Sequence, residues 1–213
     1  MLAVLQEAVF AGSWSFGVTA SPAVSRPQTG ITLPYPNHRF SYSLGIAGAY
    51  DLSADFFCRG ALQYSRKSIL VATGVPDTRN SFDSTTGRID LSRVVYGDAS
   101  EAYESVSIPL SINYRIAIGQ RIDLITLGGI ECGLLFRRTM ILEPTTTGTS
   151  QHSESESGFI FALTIGAGVG YSASGDVTVL LLPAYSYSLY PHRDFSNLSF
   201  HTVSVECAVL YRF

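Results

Sequence analysis

The sequence is poor in charge, in cysteine and in long apolar runs. Lys, Arg, Asp and Glu make up only 15% of its 213 residues, against about a quarter in ordinary globular proteins. No apolar run reaches about 18 residues, which excludes a transmembrane helix. The net charge of −3 offers no basic surface for nucleic acid. The three cysteines (Cys58, Cys132 and Cys207) are isolated and lack metal-ligand spacing, so they are interpreted as small apolar residues on strand faces.

What the chain has instead is aromatic and aliphatic residues in strict alternation. The final stretch, SFHTVSVECAVLYRF, alternates with a period of two, which is typical of a strand with one apolar face. Its polar face carries Glu206 and Arg212, and its apolar face includes Tyr211 and Phe213. A soluble lipocalin-like barrel needs a polar exterior, whereas the second face of these strands is mostly Ser, Gly and Ala. Small residues suit the crowded inside of a narrow barrel, with the apolar face turned to lipid.

The same alternation predicts eight strands, at residues 13–24, 40–50, 56–71, 103–117, 122–141, 159–171, 177–190 and 199–213. Short turns follow the even strands, and longer polar links, including 73–102 and 143–158, follow the odd ones. That asymmetry is typical of outer-membrane barrels, as are strands of this length and aromatic residues near both strand ends. We therefore predict an all-β, eight-stranded antiparallel up-and-down transmembrane β-barrel over residues 13–213. It would lie in the bacterial outer membrane, with both termini periplasmic and its outer face against lipid and lipopolysaccharide.

The first twelve residues are predicted to lie outside the barrel. They are mildly apolar, lack a basic region and are too short for a complete secretory signal. We interpret them as a trimmed signal or a linker.

The inward face is predicted to hold a lumen charge network. An eight-stranded barrel is just filled by side chains, and a buried charge needs a partner of opposite sign. The predicted network is Arg59, Arg115, Glu131, Arg137, Glu206 and Arg212, with Lys67 and Asp123 on the same face; Arg59, Arg115, Glu131 and Glu206 are expected at mid-barrel. A proton or ion path is the alternative. The inward row Gly166, Gly168 and Gly170 either makes room for an arginine side chain or allows sharp coiling.

Other groupings give weak signals for chemistry. His192, Asp194 and Ser196, with His201, resemble the His and Ser of outer-membrane lipid-A deacylases, but loop spacing does not guarantee a base within reach of a nucleophile. The segment 152–156 contains a His and two Glu that are more typical of a solvated loop than of a metal site. We predict no catalytic, cofactor or metal site and no cofactor.

Three segments resemble the small outer-membrane β-barrel family common in Bacteroidota, the PorT-like group. SVSIPLSINYR (Ser105–Arg115) is similar to its IP-L-L-K-Y pattern, LITLGGIECGLLF (Leu124–Phe136) to its glycine-rich strand, and VLYRF to its ending. Asn113 stands where a Lys is common, and Glu131 interrupts the glycine strand. The resemblance implies an eight-stranded barrel inserted by the barrel-assembly machinery. Some members of the group serve type IX secretion and gliding, and no shared catalytic site is implied.

These observations predict a non-enzymatic structural or accessory subunit of a larger envelope complex for secretion, uptake or assembly. The link 73–102 is the expected partner surface, because function concentrates on loops of rigid scaffolds. The alternatives are a surface adhesin or ligand-binding barrel, a lipid-A-modifying enzyme and a narrow channel. Tyr211 and Phe213 are expected to form a carboxyl-terminal insertion signal.

Overall fold

The computed structural model describes residues 12–28, 39–77, 82–83, 88–89, 95–144, 150–155, 157–190 and 198–213. Most of these residues form strands, because β-branched and aromatic residues recur at every second position. The strands are β1 (Trp14–Gln28), β2 (Arg39–Asp51), β3 (Phe56–Asp77), β4 (Phe82–Asp83), β5 (Arg88–Ile89), β6 (Val95–Ala117), β7 (Ile122–Pro144), β8 (Ser150–Glu154), β9 (Gly158–Ser172), β10 (Val177–Tyr190) and β11 (Leu198–Arg212).

Eight long strands close into a ring within the described part of the chain. Their order is β6-β3-β2-β1-β11-β10-β9-β7, and β6 pairs with β7 to complete the circle. Every pair in the ring is antiparallel. The predicted eight-stranded up-and-down barrel is therefore confirmed. No helix among the described residues is long and apolar enough to cross a membrane.

The two faces of the barrel are sorted as the alternation predicts. Large apolar side chains such as Ile46 and Ile165 stand on the outside, 63% and 65% exposed, and the residues between them are buried. Exposed apolar side chains on all eight strands form a continuous band, which is the reverse of a soluble barrel. The outer face is therefore the lipid-contacting face.

The two ends of the barrel differ. At one end, here named the turn end, residues 52–55, 118–121 and 173–176 make short turns between neighbouring strands. At the opposite end, named the loop end, three strands extend beyond the ring. The predicted loop 73–102 is wrong for much of its length, because β3 continues to Asp77 and β6 begins at Val95. The predicted loop 143–158 is also wrong in part, because β8 pairs with β7 there. Residues 91–94 of the small strand expected at 91–96 lie outside the described residues.

The register of β6 against β7 contains one bulge. Ser105 pairs with Leu135 and Glu104 with Arg137, so Phe136 is an extra residue on β7. A bulge of this kind reverses the facing of every later residue on its strand. Beyond Phe136, the side chains of β7 therefore face opposite to the sequence prediction.

Candidate functional site in the barrel lumen

The lumen is organised in layers, and the layer at the turn end is built on Asp51, the last residue of β2. Its carboxylate accepts hydrogen bonds from Arg115 Nη2 at 2.8 Å, Arg212 Nη2 at 3.1 Å and Ser13 Oγ at 2.6 Å. Asp51 and the two arginines line a cavity of about 130 Å³ at this end of the lumen, and Asp123 lines it as well. Both arginines belong to the predicted network, but Arg115 lies at the end of the lumen and not at mid-barrel.

The next layer is apolar, which the prediction of a charged lumen did not include. Arg115 lies over the ring of Phe57, with its guanidinium carbon 5.0 Å from the ring centroid. The remaining members come from β2, β7, β10 and β11; they are Ala47, Ala49, Ile125, Leu127, Leu180, Leu182, Ala208 and Leu210. These buried side chains meet across the barrel and fill its cross-section at this level, which supports a closed lumen.

An ion pair occupies the middle of the lumen. Arg59 Nη2 donates to Glu206 Oε2 at 2.6 Å, and the two side chains are only 7% and 14% exposed. Thr19 Oγ1 donates to the other carboxylate oxygen at 2.8 Å. The structure thus brings together two predicted residues from β3 and β11, which face each other across the lumen. Thr19 satisfies the remaining oxygen, as a buried charge requires.

A polar cavity of about 90 Å³ lies beside this pair. Glu131 and Lys67 both line it, and Lys67 Nζ donates to Ser188 Oγ at 3.0 Å. Glu131 makes no ion pair or side-chain hydrogen bond with any described residue, and a cavity water could therefore bind its carboxylate. The cavity is large enough for ordered water, and its walls are rich in Ser and Thr hydroxyls that can bind it.

A second closed layer lies towards the loop end. Tyr103, Phe200, Ile69, Leu135 and Ile160 are all buried and pack together. Beside them Arg138 Nη2 donates to Glu101 Oε1 at 2.5 Å, and the Tyr103 hydroxyl donates to the other oxygen of Glu101. Sequence reasoning missed this ion pair, because Glu101 fell in the predicted link 73–102 and the alternation does not reveal the bulge that turns Arg138 inward.

Arg137 does not belong to the lumen, and its inclusion in the predicted network is corrected. The extra residue Phe136 turns Arg137 to the outer face, where its side chain is 55% exposed. Its Nη1 lies 3.4 Å from Glu104 Oε2, also on the outer face.

The inward glycines allow β9 to approach β10. A Cβ on Gly168 would lie 2.1 Å from the Leu181 carbonyl oxygen, and one on Gly170 would lie 2.8 Å from Ile125 Cδ1. Neither neighbour is an arginine, so the contacts favour sharp coiling over room for an arginine side chain.

The other groupings lie mostly outside the residues that the structure describes. His201 lies on the outer face beside Tyr185, whose hydroxyl it contacts, and Tyr187. His192, Asp194 and Ser196 lie outside the described residues, as do the side chains of His152, Glu154 and Glu156. No group of three or more His, Cys, Asp or Glu among the described side chains could hold a metal ion.

The lumen is therefore a filled interior, in which two apolar layers enclose an ion pair and a small polar cavity. A closed barrel with an apolar outside and a polar, charge-containing inside is the form that spans outer membranes. The protein is an outer-membrane β-barrel, and its outer face contacts membrane lipid.

Comparisons with known proteins find likeness only among solved structures. No protein-family model matches the chain, and no curated protein matches it. A major outer membrane protein from Thermus thermophilus is 12% identical with a TM-score of 0.49, covering 95% of this chain and all of the other. Neisserial surface protein A is 16% identical with a TM-score of 0.45, covering 93% and 97%. Ail, the attachment invasion locus protein of Yersinia pestis, is 14% identical with a TM-score of 0.40, covering 95% and 99%.

Proposed function

We propose that this chain is a non-enzymatic outer-membrane barrel that acts as a structural or accessory subunit of a larger envelope complex. The observation that carries the proposal is the sheet at the loop end. β6 pairs with β3 up to Asp77 and with β7 up to Pro144, and β7 also pairs with β8. A four-stranded sheet therefore projects beyond the ring.

The filled lumen explains why the projecting sheet is the favoured working surface. Two buried apolar layers and the Arg59–Glu206 pair lie across the lumen, which supports a barrel without a continuous aqueous path. A role in conduction would need such a path. A surface outside the membrane that is carried by a rigid scaffold suits binding to a partner.

The proposed orientation places the turn end and both termini in the periplasm, with the projecting sheet outside the cell. Short turns face the periplasm and longer connections face outward in barrels of this class. The similarity of residues 105–115 and 124–136 to the PorT-like group favours a role beside a secretion or gliding apparatus. The described lumen ion pairs, Arg59–Glu206 and Arg115–Asp51–Arg212, would act as structural ties. Residues 1–12 would be a linker or a trimmed signal, outside the barrel formed by residues 13–213.

The test is to shorten the sheet without touching the barrel. Leu70 faces Ser100 in the register of β3 and β6, so residues 71–99 can be replaced by an Asn-Gly turn, which suits a two-residue hairpin. We expect the full-length chain, extracted gently from native membranes, to carry a stoichiometric protein partner that the shortened chain loses.

The matched control replaces residues 143–149 by the same turn, because Leu142 faces Ser150. The control should keep the partner, and both variants should remain folded in membranes.

A full-length barrel that purifies alone but binds host cells or matrix would favour the adhesin alternative. Steady single-channel conductance would refute the filled lumen, and a chemical change in lipid A that depends on this chain would refute the non-enzymatic role.

A further inference from the structure

A row of charged and aromatic residues crosses four neighbouring strands on the outer face. Tyr42 pairs with Arg66, Arg66 with Glu104, and Glu104 with Arg137, from β2 through β3 and β6 to β7. This headgroup row, as we name these four residues, has both arginines on the lipid-facing side. Charged residues on that side are destabilising within the apolar core of a membrane.

The position of the row along the strands shows why charge is tolerated there. The exposed apolar residues of β6 run from Val106 to Ile116. At ~3.4 Å per residue and a tilt of ~40°, those ten steps span about 26 Å along the membrane normal. This matches the apolar band of about 25 Å in outer-membrane barrels. Glu104, the next outward residue after Val106, therefore lies at the boundary between acyl chains and headgroups.

The charges of the row are unbalanced in favour of cations. Glu104 is one carboxylate between two guanidinium groups, and its side chain is 11% exposed. Arg137 contacts it at 3.4 Å with a side chain that is 55% exposed. Arg66 is partly exposed and makes no ion pair or side-chain hydrogen bond with any described residue. Both guanidinium groups can therefore bind a further anion.

The aromatic rings of Tyr64 and Phe136 adjoin the row on the side of the apolar band. Tyr64 lies 6.3 Å from Tyr42 and 6.3 Å from Phe136, measured between ring centroids. Amphipathic rings at this depth pack against the sugar and upper acyl region of a lipid. Guanidinium groups bind phosphate through paired, charge-assisted hydrogen bonds.

We propose that the headgroup row binds the phosphate of an acylated glycolipid, of the lipid A type, in the outer leaflet. Arg66 and Arg137 hold the phosphate, Glu104 orients Arg137, and the acyl chains lie along the apolar face of β3 and β6. The proposal rests on the proposed orientation, in which the loop end faces the cell exterior. It does not depend on a protein partner, because the row lies on the barrel and not on the projecting sheet.

The experiment uses the purified full-length chain in detergent micelles, with bound lipid counted by native mass spectrometry. The probes are diphosphorylated lipid A, the same acylated disaccharide without phosphate, and inorganic phosphate. We expect the wild-type chain to bind the phosphorylated lipid about tenfold more tightly than the unphosphorylated one, and the double variant Arg66→Gln/Arg137→Gln to lose that preference.

The matched control is Arg26→Gln, an exposed arginine of β1 outside the row, which should bind as the wild type does. Glu104→Gln should bind the phosphorylated lipid more weakly than the wild type does, because its uncharged side chain no longer holds Arg137 by an ion pair; binding as tight as that of the wild type, or tighter, would overturn the assigned role of Glu104. Equal loss in the Arg26→Gln variant would show diffuse attraction and overturn the site. Equal binding of both lipids by the wild-type chain, or displacement by millimolar inorganic phosphate, would also overturn the proposal. The shortened sheet variant should keep its lipid, which separates this proposal from that of a protein partner.

Discussion

Replacing Glu206 with Leu is expected to destabilise the barrel strongly, because it leaves the positive charge of Arg59 in the lumen without its ion-pair partner. The guanidinium of Arg59 is buried, and its Nη1 already has no hydrogen-bond partner among the described residues. Glu206→Leu removes the acceptor of Nη2 as well, and it removes the acceptor of Thr19 Oγ1. Breaking a buried ion pair from one side typically costs about 3–5 kcal/mol.

The polar cavity beside the pair sets where in that range the result should fall. Glu206 lines this cavity of about 90 Å³, and Arg59 and Glu206 together line a smaller one of about 40 Å³, so water beside the pair can lower the cost. We therefore expect a loss of about 3 kcal/mol, near the lower end of the range. The double variant Arg59→Met/Glu206→Leu removes both charges and replaces them with apolar side chains. It should lie within about 1 kcal/mol of the wild type.

The measurement is urea unfolding of the barrel refolded in detergent micelles. The single tryptophan of the chain, Trp14, stands on the outer face at the turn end, so its fluorescence reports loss of contact with the micelle. A loss below about 1 kcal/mol for Glu206→Leu would refute the view that the pair is buried and interdependent. A double variant as unstable as the single one would show that lost packing, and not the stranded charge, is the cause.

Two further predictions concern backbone contact and the outer aromatic residues. Gly168→Ala should cost about 2 kcal/mol in the same unfolding assay, because its Cβ would meet the Leu181 carbonyl at 2.1 Å. Gly128→Ala, where a Cβ meets nothing within 4 Å, is the control, and equal losses would contradict close approach. Phe213→Ala should lower the yield of inserted protein in membranes with little loss of stability, since Phe213 is 79% exposed. The control Phe40→Ala, also exposed but at the loop end, should insert normally; equal yields would count against an insertion signal.

The ring and its two faces could be predicted from sequence because alternation is geometrically forced. Successive side chains of a strand point to opposite faces, so the apolar series of β6 and β9 had to face the lipid together. Arg59 and Glu206 could be placed in the lumen for the same reason. Their pairing needed the register across the barrel, which alternation within one strand does not contain.

The misassigned residues have two physical causes. The extended ends of β3 and β6 lie beyond the membrane, where the lipid no longer selects an apolar face, so the alternation disappears and the segment resembles a loop. Asp51, the acceptor for Arg115 and Arg212, directly follows the predicted strand 40–50 and falls in the predicted short turn, because an aspartate at a strand end is also a common turn residue.

The bulge at Phe136 links the lumen to the outer face through two adjacent arginines. With regular pairing, Phe136 would face Glu104 and Arg137 would face Tyr103, which would leave the outer carboxylate opposite an aromatic ring. The extra residue instead brings Arg137 opposite Glu104 outside the barrel and Arg138 opposite Tyr103, beside Glu101, inside it. A bulge changes the face to which the following side chains point, and bulges are frequent at the edges and rims of sheets. This bulge lies where the lipid-facing band ends and the projecting sheet begins, and its one inserted residue brings each of the two arginines to a carboxylate on its own face, Arg137 to Glu104 and Arg138 to Glu101.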